Sequence, residues 1–160
     1  MTQVLAAIRP DDWNFPLLVH VFGALALVGA LVTALAFQIV AWRSDDRPGE
    51  LAFGRLAFRT LLFVAFPAWW IMRIGAQWIY SREGWDDAPD EPTWLGIGWI
   101  TGEGGGLFIL LAIILAWLNV RRLRGSETAG AGLGRAATVF ATIALVMYIV
   151  TIWAMSGKPD

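Results

Sequence analysis

Of 160 residues, 58% are hydrophobic and 16% charged, and the mean hydropathy is +0.60; a soluble domain is about half apolar and a quarter charged, so the excess points to membrane spans. The absence of Cys excludes disulfides, thiolate metal sites, iron–sulfur ligation and covalent haem attachment, and one His cannot build a multi-imidazole metal centre within one chain. The net charge of −1 conceals a strong local asymmetry.

The opening MTQVLAAIRPDDWN has no basic start, and Asp11 and Asp12 precede the first apolar run with no small-residue cleavage site after it. It reads as the lead-in to a retained helix rather than a secretory leader. The first span runs over 15–42 and carries His20 and a strip of small residues, Gly23, Ala26, Ala30 and Ala34. RSDDRPGE follows as a loop, and LAFGRLAFR as the amphipathic entry to a second span over 56–80, which Pro67 is expected to kink. Trp69, Arg73 and Gln77, spaced four apart, share a face of it.

REGWDDAPDEPT is the middle loop, and the third span covers 94–120. It contains ITGEGGGLF, in which Glu103 sits among glycines at the head of an apolar run. Gly98, Gly102 and Gly106 recur every four residues, a smooth strip for helix packing that also leaves room for a flat cofactor. GEGGG is no phosphate loop, because the Lys-Ser/Thr ending is missing and no strand precedes it. RRLRGSETAGAGLGR leads into the fourth span, 136–155. Spans of about 20 residues match a hydrocarbon core of roughly 30 Å, and short connections favour antiparallel neighbours. The expected fold is therefore all-α, one domain over 1–160, an up-down four-helix transmembrane bundle.

Arginine sets the expected orientation. Arg43, Arg47, Arg55 and Arg59 cluster at the first loop, and Arg121, Arg122, Arg124 and Arg135 at the third. The opposite side holds Arg9, Arg82 and Lys158 among Asp11, Asp12, Glu83, Asp86, Asp87, Asp90 and Glu91. By the positive-inside rule both termini and the middle loop lie on the outer side of the membrane (N-out, C-out). Trp13, Trp85, Trp94 and Trp153 on that side, with Trp42 and Trp117 on the other, suit interfacial belts.

Counted upward at ~1.5 Å per residue, Arg73 lies ~20 Å above Thr60, Gln77 and Glu103 ~25 Å above Thr60 and Val120, and His20 ~27 Å above Gln38. These polar groups form one layer in the outer half. Arg73 is the intramembrane cation whose depth allows it to pair with Glu103, a carboxylate costly to leave alone. The pair reads either as a buried tie fixing helix register or as part of a ligand, proton or ion site. His20 reads as an ordinary hydrogen-bonded interfacial His or as a ligand or proton carrier. The loop arginines are solvated anchors first and lipid-headgroup contacts second.

The stretch LLVHVFGALALVGALV, with His20, Gly23, Ala24 and Gly29, resembles the first helix of bacterial four-helix membrane families related to the copper-resistance D group and to the membrane protoporphyrinogen oxidase. TWLGIGWI, followed by an apolar helix ending in two arginines, looks like their uncharacterised branch. The resemblance implies a b-type haem with His20 as an iron ligand, the second ligand falling to Met147, Met155, Tyr148 or another subunit.

The residues themselves exclude a Ser-His-Asp set, paired inward carboxylates, a metal site and a nucleic-acid face, and enzymatic chemistry is not expected. His20, Arg73, Gln77 and Glu103 are expected to line an outward-facing pocket for a small ligand, haem or quinone. The alternative is a non-catalytic accessory or assembly subunit, with the bilayer, a second copy or a larger membrane complex as partner. A transporter or channel is the weakest class, because the inner halves of the spans carry no ionisable residue for a path.

Overall fold

The computed structural model describes residues 14–85, 92–125 and 132–158; Arg9, Asp11, Asp12, Trp13, Asp86, Asp87, Asp90 and Glu91, named above, lie outside them. Four long helices carry the described chain, and no strand occurs among the described residues: α1 (Phe15–Arg43), α2 (Arg47–Arg82), α3 (Thr93–Gly125) and α4 (Gly132–Gly157). All four are long and apolar enough to cross a membrane.

Local chemistry explains the ends. Asn14 caps α1, its side-chain oxygen accepting from the Leu17 N–H at 3.2 Å, and Pro16 occupies the first turn, where a missing N–H costs nothing. Between α1 and α2 only three residues intervene, because Pro48 in the first turn starts α2 at Arg47 rather than at Leu56. Most of RSDDRPGE and all of LAFGRLAFR are therefore helical. At its far end α2 stops where Gly84 adopts φ +75°, the left-handed conformation that favours glycine after a helix. The flanks of α3 and α4 also extend beyond the apolar runs, taking in Arg121–Gly125 and Gly132–Arg135.

Pro67 acts through a widened turn. Leu61–Ala65 is π-helical, with the Phe66 N–H bonding back to the Leu61 carbonyl, and the α-helix resumes at Phe66. A proline there has no N–H to give and its ring crowds the preceding turn, so one wide turn accommodates it inside a continuous helix.

The helices close a ring: α1 on α2, α2 on α3, α3 on α4 and α4 back on α1. The core is built from small residues (Ala30, Ala34, Ala65, Ala112, Ala137, Ala141, Ala144) around Leu27, Leu31, Leu61 and Ile109. Large apolar side chains point outward instead; Phe22, Leu25, Phe63 and Ile100 are each more than 60% exposed. That is the distribution of a protein solvated by lipid, where small residues permit close helix approach and bulky ones meet acyl chains. Glycine serves the same end at the α1–α2 crossing. A Cβ on Gly23 would run into the Met72 backbone, and one on Gly75 would lie 2.5 Å from the His20 nitrogen.

One departure from even packing positions the site. Near the end of the bundle away from the arginine loops, the Phe66–Arg82 part of α2 packs along α1 and stands off from α3. Aromatic and charged side chains occupy the opening between them.

Candidate functional site: a recess between the helices

The recess has a volume of about 240 Å³ and takes residues from all four helices. His20 comes from α1, Arg73 and Tyr80 from α2, Trp94, Trp99 and Gly102 from α3, and Thr151, Met155 and Lys158 from α4. The lining is mostly apolar, with a few charged and hydrogen-bonding groups (Glu83 is the acid), the usual make-up of a small-molecule site.

Its floor is organised around one carbonyl. The Gly102 oxygen accepts from Trp69 Nε1 and from the Tyr148 hydroxyl, each at 3.2 Å, which ties α2 and α4 to α3. The neighbouring glycines make these contacts possible: a Cβ on Gly106 would lie 2.5 Å from the Trp69 ring, and one on Gly105 2.6 Å from the Tyr148 ring. Gly98 and Gly104 receive the Met155 and Met147 methyl groups. These four glycines of α3 thus face side chains from α2 and α4, while Gly23 of α1 lies against the Met72 backbone of α2. A Cβ on Gly102 itself would meet nothing within 4 Å, because it borders the recess. Beside this floor the Thr101 and Thr151 hydroxyls bond to each other, one donating to the other; the accepting hydroxyl gives its own proton to the carbonyl one turn back in its helix, Ile97 for Thr101 or Met147 for Thr151.

Arg73 forms one wall. Its guanidinium lies 4.4 Å over the Trp99 ring and makes an ion pair with Glu103, one helical turn further along α3. Tyr80 crosses Trp99 edge-on at 5.5 Å. At the rim, Trp85 donates to Glu83 at 2.9 Å and meets Trp94 edge-on at 6.1 Å, while Lys158 lies 5.1 Å over the Trp94 ring.

His20 faces two ways. Its Nδ1 lies 3.0 Å from the Met72 carbonyl, which can only accept, so Nδ1 carries a proton and, in the neutral ring, Nε2 is the acceptor. The recess therefore offers one imidazole acceptor together with the cationic donors Arg73 and Lys158, between aromatic walls.

Of the four residues expected to line one pocket, His20 and Arg73 do. Glu103 reaches Arg73 from the outer surface of the bundle: its side chain is 50% exposed against 18% for Arg73. Gln77 is exposed on α2 and belongs to no wall of the recess. Trp99, Tyr80, Thr151 and Lys158 were not anticipated as lining. Trp99 had a usable signal, since it stands four residues before Glu103 on the same helix face.

The haem implied by the α1 resemblance does not fit. His20 and Met155 border the same recess, but 240 Å³ is below the ~300 Å³ at which drug-sized sites begin, and a porphyrin is larger than such ligands. Met155 is seated on Gly98, and the Tyr148 hydroxyl is committed to Gly102. Among the described residues no cluster of His, Asp and Glu could hold a metal.

Comparison with known proteins gives a bacterial membrane likeness. The chain is 27% identical over 129 residues to the ferric enterobactin transport system permease protein FepG of Escherichia coli (strain K12), covering 76% of this chain and 38% of that protein. It thus spans well under half the length of the relative it matches. No family model matches the chain, and no solved structure does. Four spans and this likeness identify a multi-pass protein of the bacterial plasma membrane.

Proposed function

We propose that the chain is a single four-helix membrane unit that binds a small, flat, carbonyl- or hydroxyl-bearing ring, of the class of a quinone head group, in the recess between α2 and α3. The observation that carries this reading is the convergence of four helices on an aromatic-walled volume holding both an acceptor, His20, and cationic donors, Arg73 and Lys158. A flat ring stacks on Trp94 and Trp99, and its carbonyls accept from the cations while a hydroxyl donates to His20. The arginine asymmetry supports an orientation in which the recess and both termini face outward. The resemblance of the α1 segment to haem-binding families supplies one iron ligand, His20, and haem is not part of the proposal; the purified protein is expected to lack a Soret band.

The test is a titration of tryptophan emission with a water-soluble short-chain benzoquinone in detergent. Saturable quenching is expected, with an apparent Kd raised about tenfold in His20→Phe and in Lys158→Gln, the loss of one hydrogen bond at a partly wet site. Non-saturable quenching, identical in wild type and both variants, would overturn the reading.

A second reading, a segment or accessory subunit of a larger membrane transport complex, is favoured by the likeness to a permease that is longer than this chain. Co-purification from cross-linked native membranes would reveal such a partner.

A further inference from the structure

The opposite end of the bundle carries a second recess that the ligand reading does not use. It has a volume of about 540 Å³ and lies between the first turns of α2 and the last turn of α3, lined by Arg47, Pro48, Leu51, Arg55, Leu123, Arg124 and Gly125. Arg47, Leu51 and Arg55 are spaced four apart, so α2 presents two arginines and a leucine on one face. Arg47 holds the wall in place: its Nε and Nη2 donate to the Leu123 carbonyl at 3.2 and 2.8 Å, closing the C-terminal end of α3. That contact covers the negative end of the α3 dipole, while the positive N-terminal end of α2 opens on the same space.

The charged side chains that line this recess among the described residues are all arginines. Among the described residues no carboxylate lines it. Asp45, Asp46 and Glu50 stand nearby in sequence, yet neither Arg55 nor Arg124 makes an ion pair with any of them. Arg55 is the unusual group: its Nε is buried and has no hydrogen-bond acceptor among the described residues. Buried donors are nearly always satisfied, and a buried part of a guanidinium without an acceptor is unfavourable until an anion supplies one.

We infer that this recess is a phosphate-binding site, in which Arg55 and Arg124 hold the phosphate oxygens and Pro48, Leu51 and Leu123 cover the adjoining carbons. Guanidinium presents forked donors that match two phosphate oxygens at once, and basic hollows between membrane helices are a recognised setting for anionic head groups. The same chemistry is offered by a lipid head group at the bilayer surface and by free phosphate in solution. The apolar lining suits a phosphodiester carrying its glycerol.

The experiment follows the unfolding temperature of the full chain in detergent while phosphatidylglycerol, phosphatidylcholine or inorganic phosphate is added at constant ionic strength. Wild type is expected to be stabilised saturably by phosphatidylglycerol. Its half-saturating concentration should rise at least tenfold in Arg55→Gln/Arg124→Gln and stay unchanged in Arg59→Gln, an exposed arginine outside the recess. Stabilisation by phosphatidylglycerol but not by inorganic phosphate assigns the site to lipid. Stabilisation by inorganic phosphate, in competition with the lipid, assigns it to the free anion. Should the double glutamine variant fail to fold, Arg55→Lys keeps the charge and loses the fork, and should still weaken binding several-fold. No stabilisation of wild type by either compound, equal stabilisation of all variants, or an equal loss in Arg59→Gln would overturn the inference.

Discussion

Removing one partner of the Arg73–Glu103 pair tests how the polar layer is held together. Trp94 to Glu103 is nine residues, ~13 Å along the helix, against a hydrocarbon half-thickness of ~15 Å. The exposed half of the Glu103 side chain therefore looks toward lipid rather than bulk water, and the pair belongs nearer the buried limit than the surface one. Glu103→Gln strands a guanidinium that stays protonated. Losing a partner at a buried site costs roughly 3–5 kcal/mol. Arg73 keeps the Trp99 ring, a cation–π contact of about 0.5–2 kcal/mol, which puts Glu103→Gln near ~3 kcal/mol. Arg73→Gln leaves a carboxylate that one proton neutralises, so its loss should be smaller, about 1–2 kcal/mol. The double variant should lose about 2–3 kcal/mol, a coupling of ~2 kcal/mol between the two sites. Unfolding free energies of the three variants from detergent–SDS titrations give the cycle directly. Strictly additive losses, or a larger loss in Arg73→Gln than in Glu103→Gln, would refute this reasoning.

Further outcomes follow from the packing. Gly75→Ala drives a methyl into the His20 backbone and should destabilise by about 1–3 kcal/mol, whereas Gly102→Ala, which meets nothing, should be neutral or stabilising by up to ~1 kcal/mol; thermal unfolding in detergent reads both signs. Tyr148→Phe removes one of two donors to the Gly102 carbonyl and should cost about 0.5–1.5 kcal/mol in the same SDS titration, while joint loss with Trp69→Phe, leaving that oxygen without either side-chain donor, should exceed the sum. Because the chain has no native cysteine, single substitutions report topology cleanly: an impermeant thiol reagent on intact cells should label Ala88→Cys and spare Asp46→Cys, and the reverse pattern would invert the orientation.

The spans were legible because hydropathy and length fix them with little help from tertiary structure. Their ends were less so: the amphipathic LAFGRLAFR is readable as a helix entry, but Arg47–Glu50 is polar and reads as loop, although Pro48 at the first turn is a start signal. Depth counting put Arg73 and Glu103 in one layer, where the structure pairs them. It could not tell the inside of the bundle from its surface, because a linear count carries no azimuth. Gln77 shows the same limit: eight residues on from Trp69, a helix has turned ~80° further, enough to carry a side chain from a buried face to an exposed one. The glycines of α3 were readable as small but not as seats for Trp69, Tyr148, Met147 and Met155, which depends on helices far away in sequence. The recess comes from α2 standing off α3, and no single-helix pattern records that separation.

Whether the recess between α2 and α3 admits a ligand is tested most directly by Gly102→Leu. Gly102 borders the recess with open space where a side chain would grow, so a leucine fills the volume while leaving the Trp69 and Tyr148 bonds to the Gly102 backbone carbonyl in place. Equilibrium binding of the short-chain benzoquinone, followed by tryptophan quenching, should be saturable in wild type and lost in Gly102→Leu at an unchanged unfolding temperature. Saturable binding of equal affinity in the stably folded Gly102→Leu protein would contradict a ligand site in this recess.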